Sequence, residues 1–158
     1  MAHKDISMTP AEVSAFLEAG HTIVVASLGR GGMPHLAPMW YVMEDGKVVF
    51  RSFTKSQKIV NLQRDPRVTL LLETGERYAE LQGVMIQGRA VLVDDPAYTL
   101  GIYGRLAAKY AMVSDTPVVL EGEALEAAFG RFAPKNTAVT VEPQRMVTWD
   151  HTKLGGGY

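Results

Sequence analysis

No cysteine occurs anywhere in the sequence, which excludes disulfides, thiolate metal sites and cysteine nucleophiles together. The same absence fits a cytoplasmic protein. Long hydrophobic runs are missing as well. Residues 23–26 and 68–72, the second run broken by Thr69, are far too short to span a bilayer. The opening Met1-Ala2-His3-Lys4-Asp5 lacks the apolar stretch of a secretory signal, so a soluble intracellular protein is expected. Neither sign of charge is in excess: 16 Lys and Arg face 17 Asp and Glu, for a formal net charge of −1. Such a chain has no large basic field for nucleic acid, although local charge can still form a small anion site.

Catalytic signatures are also sparse. There is no Gly-x-Ser-x-Gly. The glycines at 29–32 join two extended segments and read as a hairpin turn, not a phosphate loop. His3, His21, His35 and His151 neither pair at i, i+4 nor join carboxylates at ligand-like spacing, so no zinc site is expected. What remains is ordinary globular material. The 158 residues, 47% apolar and 21% charged, fit a single domain over 1–158 with enough chain to bury a core and a tail from about 150.

Period and turn chemistry lay out the elements. Thr9-Pro10-Ala11-Glu12 is a capping box with proline at the first helical position, and it predicts a helix over 10–19. Extended runs follow at Thr22–Leu28, His35–Met43 and Lys47–Phe53, joined by glycine turns. Thr54 with Gln57 reads as a second capping box, opening a helix that Asp65-Pro66 stops. Arg67–Glu73 and Ala79–Asp94 read as strands, with Gly88 a candidate bulge or close approach. Asp95-Pro96 opens a helix whose Tyr103, Leu106, Ala107 and Tyr110 share one face; residues 124–132 suggest another helix. Residues 136–141 and 145–149 end the chain as extended segments bent at Pro143. These six strands with peripheral helices imply a mainly β fold, a small antiparallel barrel, with an open α+β sandwich as the alternative that periodicity alone leaves open.

Positive charge concentrates at one place. Arg51, Lys55, Lys58, Arg64 and Arg67 lie within one short segment opposed only by Asp65. With Ser52, Thr54, Ser56 and the start of a helix, they can cradle a phosphate. The competing reading is a solvated helix face. Pro38 inside a strand implies an edge, which would leave backbone groups free beside Trp40 and Tyr41 for a planar ligand; core packing of these aromatics is the competing reading.

The order of these motifs resembles the pyridoxamine 5′-phosphate oxidase-like split β-barrel family. The resemblance spans residues 9 to 149. It rests on Thr22-Ile23-Val24-Val25-Ala26-Ser27-Leu28, Gly32-Met33-Pro34-His35, Pro38-Met39-Trp40-Tyr41, Ser56-Gln57-Lys58-Ile59-Val60-Asn61-Leu62, Asp65-Pro66-Arg67-Val68 and Gln87-Gly88-Arg89-Ala90, in that order. It implies a six-stranded antiparallel split β-barrel of the FMN-binding type, a homodimer, and a flavin-type cofactor, FMN or the deazaflavin coenzyme F420, between subunits. The ending Thr148-Trp149-Asp150-His151-Thr152-Lys153-Leu154-Gly155-Gly156 resembles the F420-dependent oxidoreductase B branch. The resemblance assigns the cofactor phosphate to Arg51, Ser52, Lys55, Ser56 and Lys58. It sets Pro38, Met39 and Trp40 beside the ring system and brings Gln87 in from the fifth strand.

Three functions follow as expectations: F420-dependent reduction of a small unsaturated organic substrate, FMN-dependent oxidation, and cofactor binding or carriage without turnover. Oxidation of pyridoxamine phosphate itself would need a second phosphate site, and the sequence carries no second basic cluster of similar density. A hydride step still needs a proton for the product; Tyr41 and His35 are the candidate donors.

Overall fold

The computed structural model describes residues 4–155, so His3 and the end of the glycine-rich segment, residues 156–158, lie outside the described residues. The first helix, α1 (Pro10–Ala19), forms as its sequence dictates. Thr9 Oγ1 accepts from the Glu12 amide and Glu12 Oε2 accepts from the Thr9 amide, which completes the capping box.

Seven strands follow: β1 (Ile23–Leu28), β2 (Pro34–Met39), β3 (Val42–Glu44), β4 (Lys47–Phe53), β5 (Arg67–Thr74), β6 (Gln82–Val93) and β7 (Asn136–Asp150). All pairings are antiparallel, in the order β2-β1-β5-β6-β7-β4-β3. β2 and β3 are the two edges of this sheet, yet only Trp40 and Tyr41 separate them in the chain. Three peptide steps reach at most about 11 Å. The sheet therefore has to curl until its edges nearly meet, and the result is a split barrel. The expected single strand over 35–43 is two strands, and this break accounts for the seventh.

Two further boundaries differ from the sequence reading. The helix expected from Thr54 begins later: α2 spans Gln57–Arg64 with Ser56 at its N-cap position and no side-chain cap. The reason is that Thr54 is engaged elsewhere, its amide donating to Lys135 O and its hydroxyl lying 2.8 Å from that of Thr137. The fifth run starts at Gln82 because residues 78–80 form a 3-10 turn. Residues 136–150 form the single final strand the sequence implies, the bend near Pro143 being a bulge after which the ladder resumes at Arg145. The other two helices are α3 (Pro96–Lys109), capped by Asp95, and α4 (Gly122–Phe129).

Alternation assigns the faces of the sheet. Ile23, Val25, Val48, Phe50, Leu70, Ile86 and Val139 point into the barrel, where Ile59 and Leu62 of α2 and Leu17 of α1 join them. Val49 and Ala138 point outward instead and are covered by Ile102, Leu106 and Tyr110 of α3. The Tyr103–Tyr110 stripe is thus packed within the subunit, all four of its residues being buried. No helix among the described residues is long and apolar enough to cross a membrane.

At Gly88 the backbone of β7 leaves no room for a side chain on β6. Gly88 pairs with Pro143 at a register shift, and a Cβ there would lie 2.1 Å from the carbonyl oxygen of Glu142. A backbone atom in a sheet cannot swing aside as a flexible side chain can. Gly88→Ala is expected to cost about 2–3 kcal/mol and lower Tm by roughly 4–12 °C; thermal unfolding by circular dichroism measures it.

Candidate functional site

The break between β2 and β3 separates two neighbouring aromatics. Tyr41 turns into the core, fully buried, and donates its hydroxyl to Leu17 O at 2.5 Å. Burial, with smaller contributions from Tyr110 and Glu18, pushes its pKa up. A phenol so enclosed and engaged is a poor proton donor for a ligand in solvent. Trp40 turns outward at 39% exposure, one face stacked on Tyr110 with ring centroids 4.6 Å apart and 11° between planes. His21 meets both rings edge-on. The two aromatics read together in the sequence therefore divide, one into the core and one onto the surface.

Trp40, with Pro38, Met39, Arg51 and Leu106, lines a cavity of about 220 Å³. Pro38 lies on the edge strand, as its missing N–H requires. Arg51 reaches the cavity from β4. Its guanidinium carbon sits 4.2 Å from the Tyr103 ring centroid and Nη1 donates to Asn136 Oδ1 at 3.2 Å, while Nε is buried without a partner. Burial pushes the guanidinium pKa down, and the neighbouring Tyr103 opposes this. The stack costs less than an unsupported buried cation because the guanidinium is planar and weakly hydrated.

One residue further along β4 the pleat reverses direction. Ser52 is buried on the face opposite to Arg51, and there its hydroxyl lies 3.0 Å from that of Ser56 and accepts from Lys58 Nζ at 3.2 Å. Lys58 is half-buried, and burial holds its ammonium below the usual lysine range. Among the described residues no carboxylate forms an ion pair with Arg51, Lys55 or Lys58. Behind the cluster, Asn61 is fixed by Gln57 and donates to the buried Ser27.

The remaining sequence candidates distribute differently. Lys55 is exposed on the turn before α2, so it does not share a helical face with Lys58. Arg67 is held by Asp65, and Arg64 donates to Leu28 O and Asn61; neither joins the Ser52 cluster. Gln87 lies in a second cleft of about 370 Å³ beside Ser27, Thr69, Gly88 and Gln144. His35 stands on the edge strand, its Nδ1 buried without a partner, and is not among the residues lining either cavity. The sequence reading missed His21, Leu106 and Tyr110 as parts of the site. For Tyr110 a signal existed, its place on the apolar stripe of α3, but that stripe says only that the residue is buried.

Residues 9–150 match the family model described as pyridoxamine 5′-phosphate oxidase. A conserved hypothetical protein of Mycobacterium tuberculosis has a similar structure, with 33% identity and a TM-score of 0.87 over 100% of this chain and 94% of that one. A structure described as an F420 reductase is 20% identical, with a TM-score of 0.64 over 85% of this chain and 94% of that one. A FAD-binding protein of Mesorhizobium loti is 15% identical, with a TM-score of 0.62 over 90% and 94%. These last two likenesses are of fold alone. No curated protein matches.

The Lys58 environment makes a prediction of its own. A depressed pKa with no counter-charge means that the ammonium should lose its proton below the ordinary value of about 10.4. NMR titration of the Lys58 side chain should find its midpoint there, and an added phosphate anion should raise it. A midpoint at or above the ordinary value would mean that the ammonium already has an anionic partner.

Proposed function

The chain belongs to the pyridoxamine 5′-phosphate oxidase family, and on that footing we propose that it is an oxidoreductase using the deazaflavin coenzyme F420. It passes a hydride to a small unsaturated organic substrate and works as a homodimer. The observation that carries this reading is a split site: an aromatic-walled cavity on one face of β4 and a carboxylate-free cluster of donors on the other. The two suit the two parts of a phosphorylated ring cofactor. When bound, the deazaflavin supplies the two-electron hydride chemistry.

The residues present fit such a group. Trp40, Met39 and Pro38 offer a flat apolar wall. The unpartnered Arg51 Nε is a buried donor in need of an acceptor. Ser52, Ser56 and Lys58 hold hydroxyl and ammonium donors together for the cofactor phosphate, with Lys55 adding charge at the rim. The cavity of about 220 Å³ is smaller than the range of roughly 300–1,000 Å³ usual for ligand pockets. A second copy of the chain would complete the enclosure and exclude water, bringing Gln87 in from its own cleft.

Two other readings have specific support. FMN carries a phosphate that the same donors would hold, so the Ser52 cluster does not distinguish the two cofactors. Carriage without turnover is favoured by the cavity lining, which among the described residues holds no general acid.

Absorbance-monitored titration of the purified protein with F420 and with FMN decides the cofactor. Micromolar binding of FMN with none of F420 would overturn the deazaflavin reading. Turnover of unsaturated ketones or quinones with reduced F420 separates an enzyme from a carrier. Replacing both lysines, Lys55→Ala with Lys58→Ala, should weaken cofactor binding by about 2–4 kcal/mol. Unchanged affinity would mean that neither lysine contacts the cofactor phosphate.

A further inference from the structure

Trp40 and Tyr41 belong to no strand, because the chain leaves β2 at Met39 and enters β3 at Val42. Neither residue has a ladder partner. For the exposed Trp40 water can substitute. For Tyr41, which is fully buried, an unsatisfied amide or carbonyl would cost free energy comparable to a lost hydrogen bond. One side chain meets this need. The Tyr110 hydroxyl accepts from the Tyr41 amide at 3.1 Å and lies 2.9 Å from the Tyr41 carbonyl and 2.8 Å from the His21 carbonyl. Its single proton serves one of these two carbonyls at a time. The same residue presents its ring to Trp40 in the near-parallel stack. It is itself fixed at the C-cap of α3, where its amide donates to Leu106 O, and Leu106 lines the cavity.

We propose that Tyr110 is a positioning residue of the ring pocket: its hydroxyl stands in for the missing ladder partners at the Trp40–Tyr41 link and so sets the angle of the indole that walls the pocket. Its ring supports the indole from behind, leaving the other face to a planar ligand. The inference rests on the proposed function only where it treats that indole face as a binding wall. The hydroxyl and the ring have separate duties. A phenylalanine at 110 would keep the stack and lose the anchor.

The test uses the full chain carrying 5-fluorotryptophan. Its two tryptophans give two fluorine resonances, assigned with Trp40→Phe. In Tyr110→Phe the Trp40 resonance should shift or broaden while that of Trp149 stays in place. Whichever of FMN and F420 the wild type binds should bind about tenfold more weakly, a loss of roughly 1.4 kcal/mol. An unmoved Trp40 resonance overturns the proposal, and so does a moved resonance with unchanged affinity. Should Tyr110→Phe fail to fold, hydrogen exchange on the wild type decides: the Tyr41 amide should be strongly protected, and fast exchange there overturns the anchor. A wild type that binds neither cofactor refutes the functional reading, and the resonance and exchange results then judge the anchor by themselves.

Discussion

The two-residue link between the edge strands is the constraint on which the rest of the structure depends. A seven-stranded antiparallel sheet can lie open when its edges are far apart in the chain. Here the edges are consecutive, and residues 40 and 41 are all that joins them. Closure follows from chain length alone, with hydrophobic burial filling the interior that closure creates. Because the link is so short it cannot relax into a loop. It has to expose one aromatic and bury the next, and it leaves backbone groups for α3 to satisfy. Fold closure and the ring wall therefore come from the same peptide.

The placement of charge follows from pleating on β4. Arg51 and Ser52 are adjacent in sequence and face different layers, one toward α3 and the other toward α2. A reading by charge density treats them as one cluster, because density along a sequence carries no information about faces. The structure instead makes two small polar environments back to back. Arg51 is accommodated by an aromatic ring and an amide, and Lys58 by a pair of hydroxyls. Both cations are partly desolvated and neither has a carboxylate, an arrangement that costs stability in the absence of an anion and suits a site that receives one.

Much of the fold was legible because its signals are local. The Thr9 capping box, the Asp95 cap and the alternation along residues 82–93 each need only a few neighbouring residues, and Gly88 was readable as a bulge from its place in that alternation. What escaped depends on distant partners. Thr54 has the chemistry of a cap, but residues 135 and 137 claim it first. The break at Trp40 is hidden because the apolar pattern runs on across it. Tyr110 reads as core, and it is core; its hydroxyl gains a role only through the Tyr41 backbone, 69 residues away. Pro38, Met39 and Trp40 line one cavity, but Arg51, which charge density and motif order assign to the phosphate cluster, joins them there instead, and Gln87 lies in a separate cleft within one subunit.

The back-to-back arrangement on β4 has an evolutionary side. The indole wall is built against α3, and the hydroxyl–ammonium cluster is built against α2. Substitutions on one helix can reshape the aromatic-walled cavity without disturbing the hydroxyl–ammonium cluster, and the reverse holds for the other helix. On the proposed function, two such packing layers would let the ring chemistry change while the phosphate donors stay in place. The barrel strand between them is the part that cannot drift, because a shift of one residue in its register would trade the two environments.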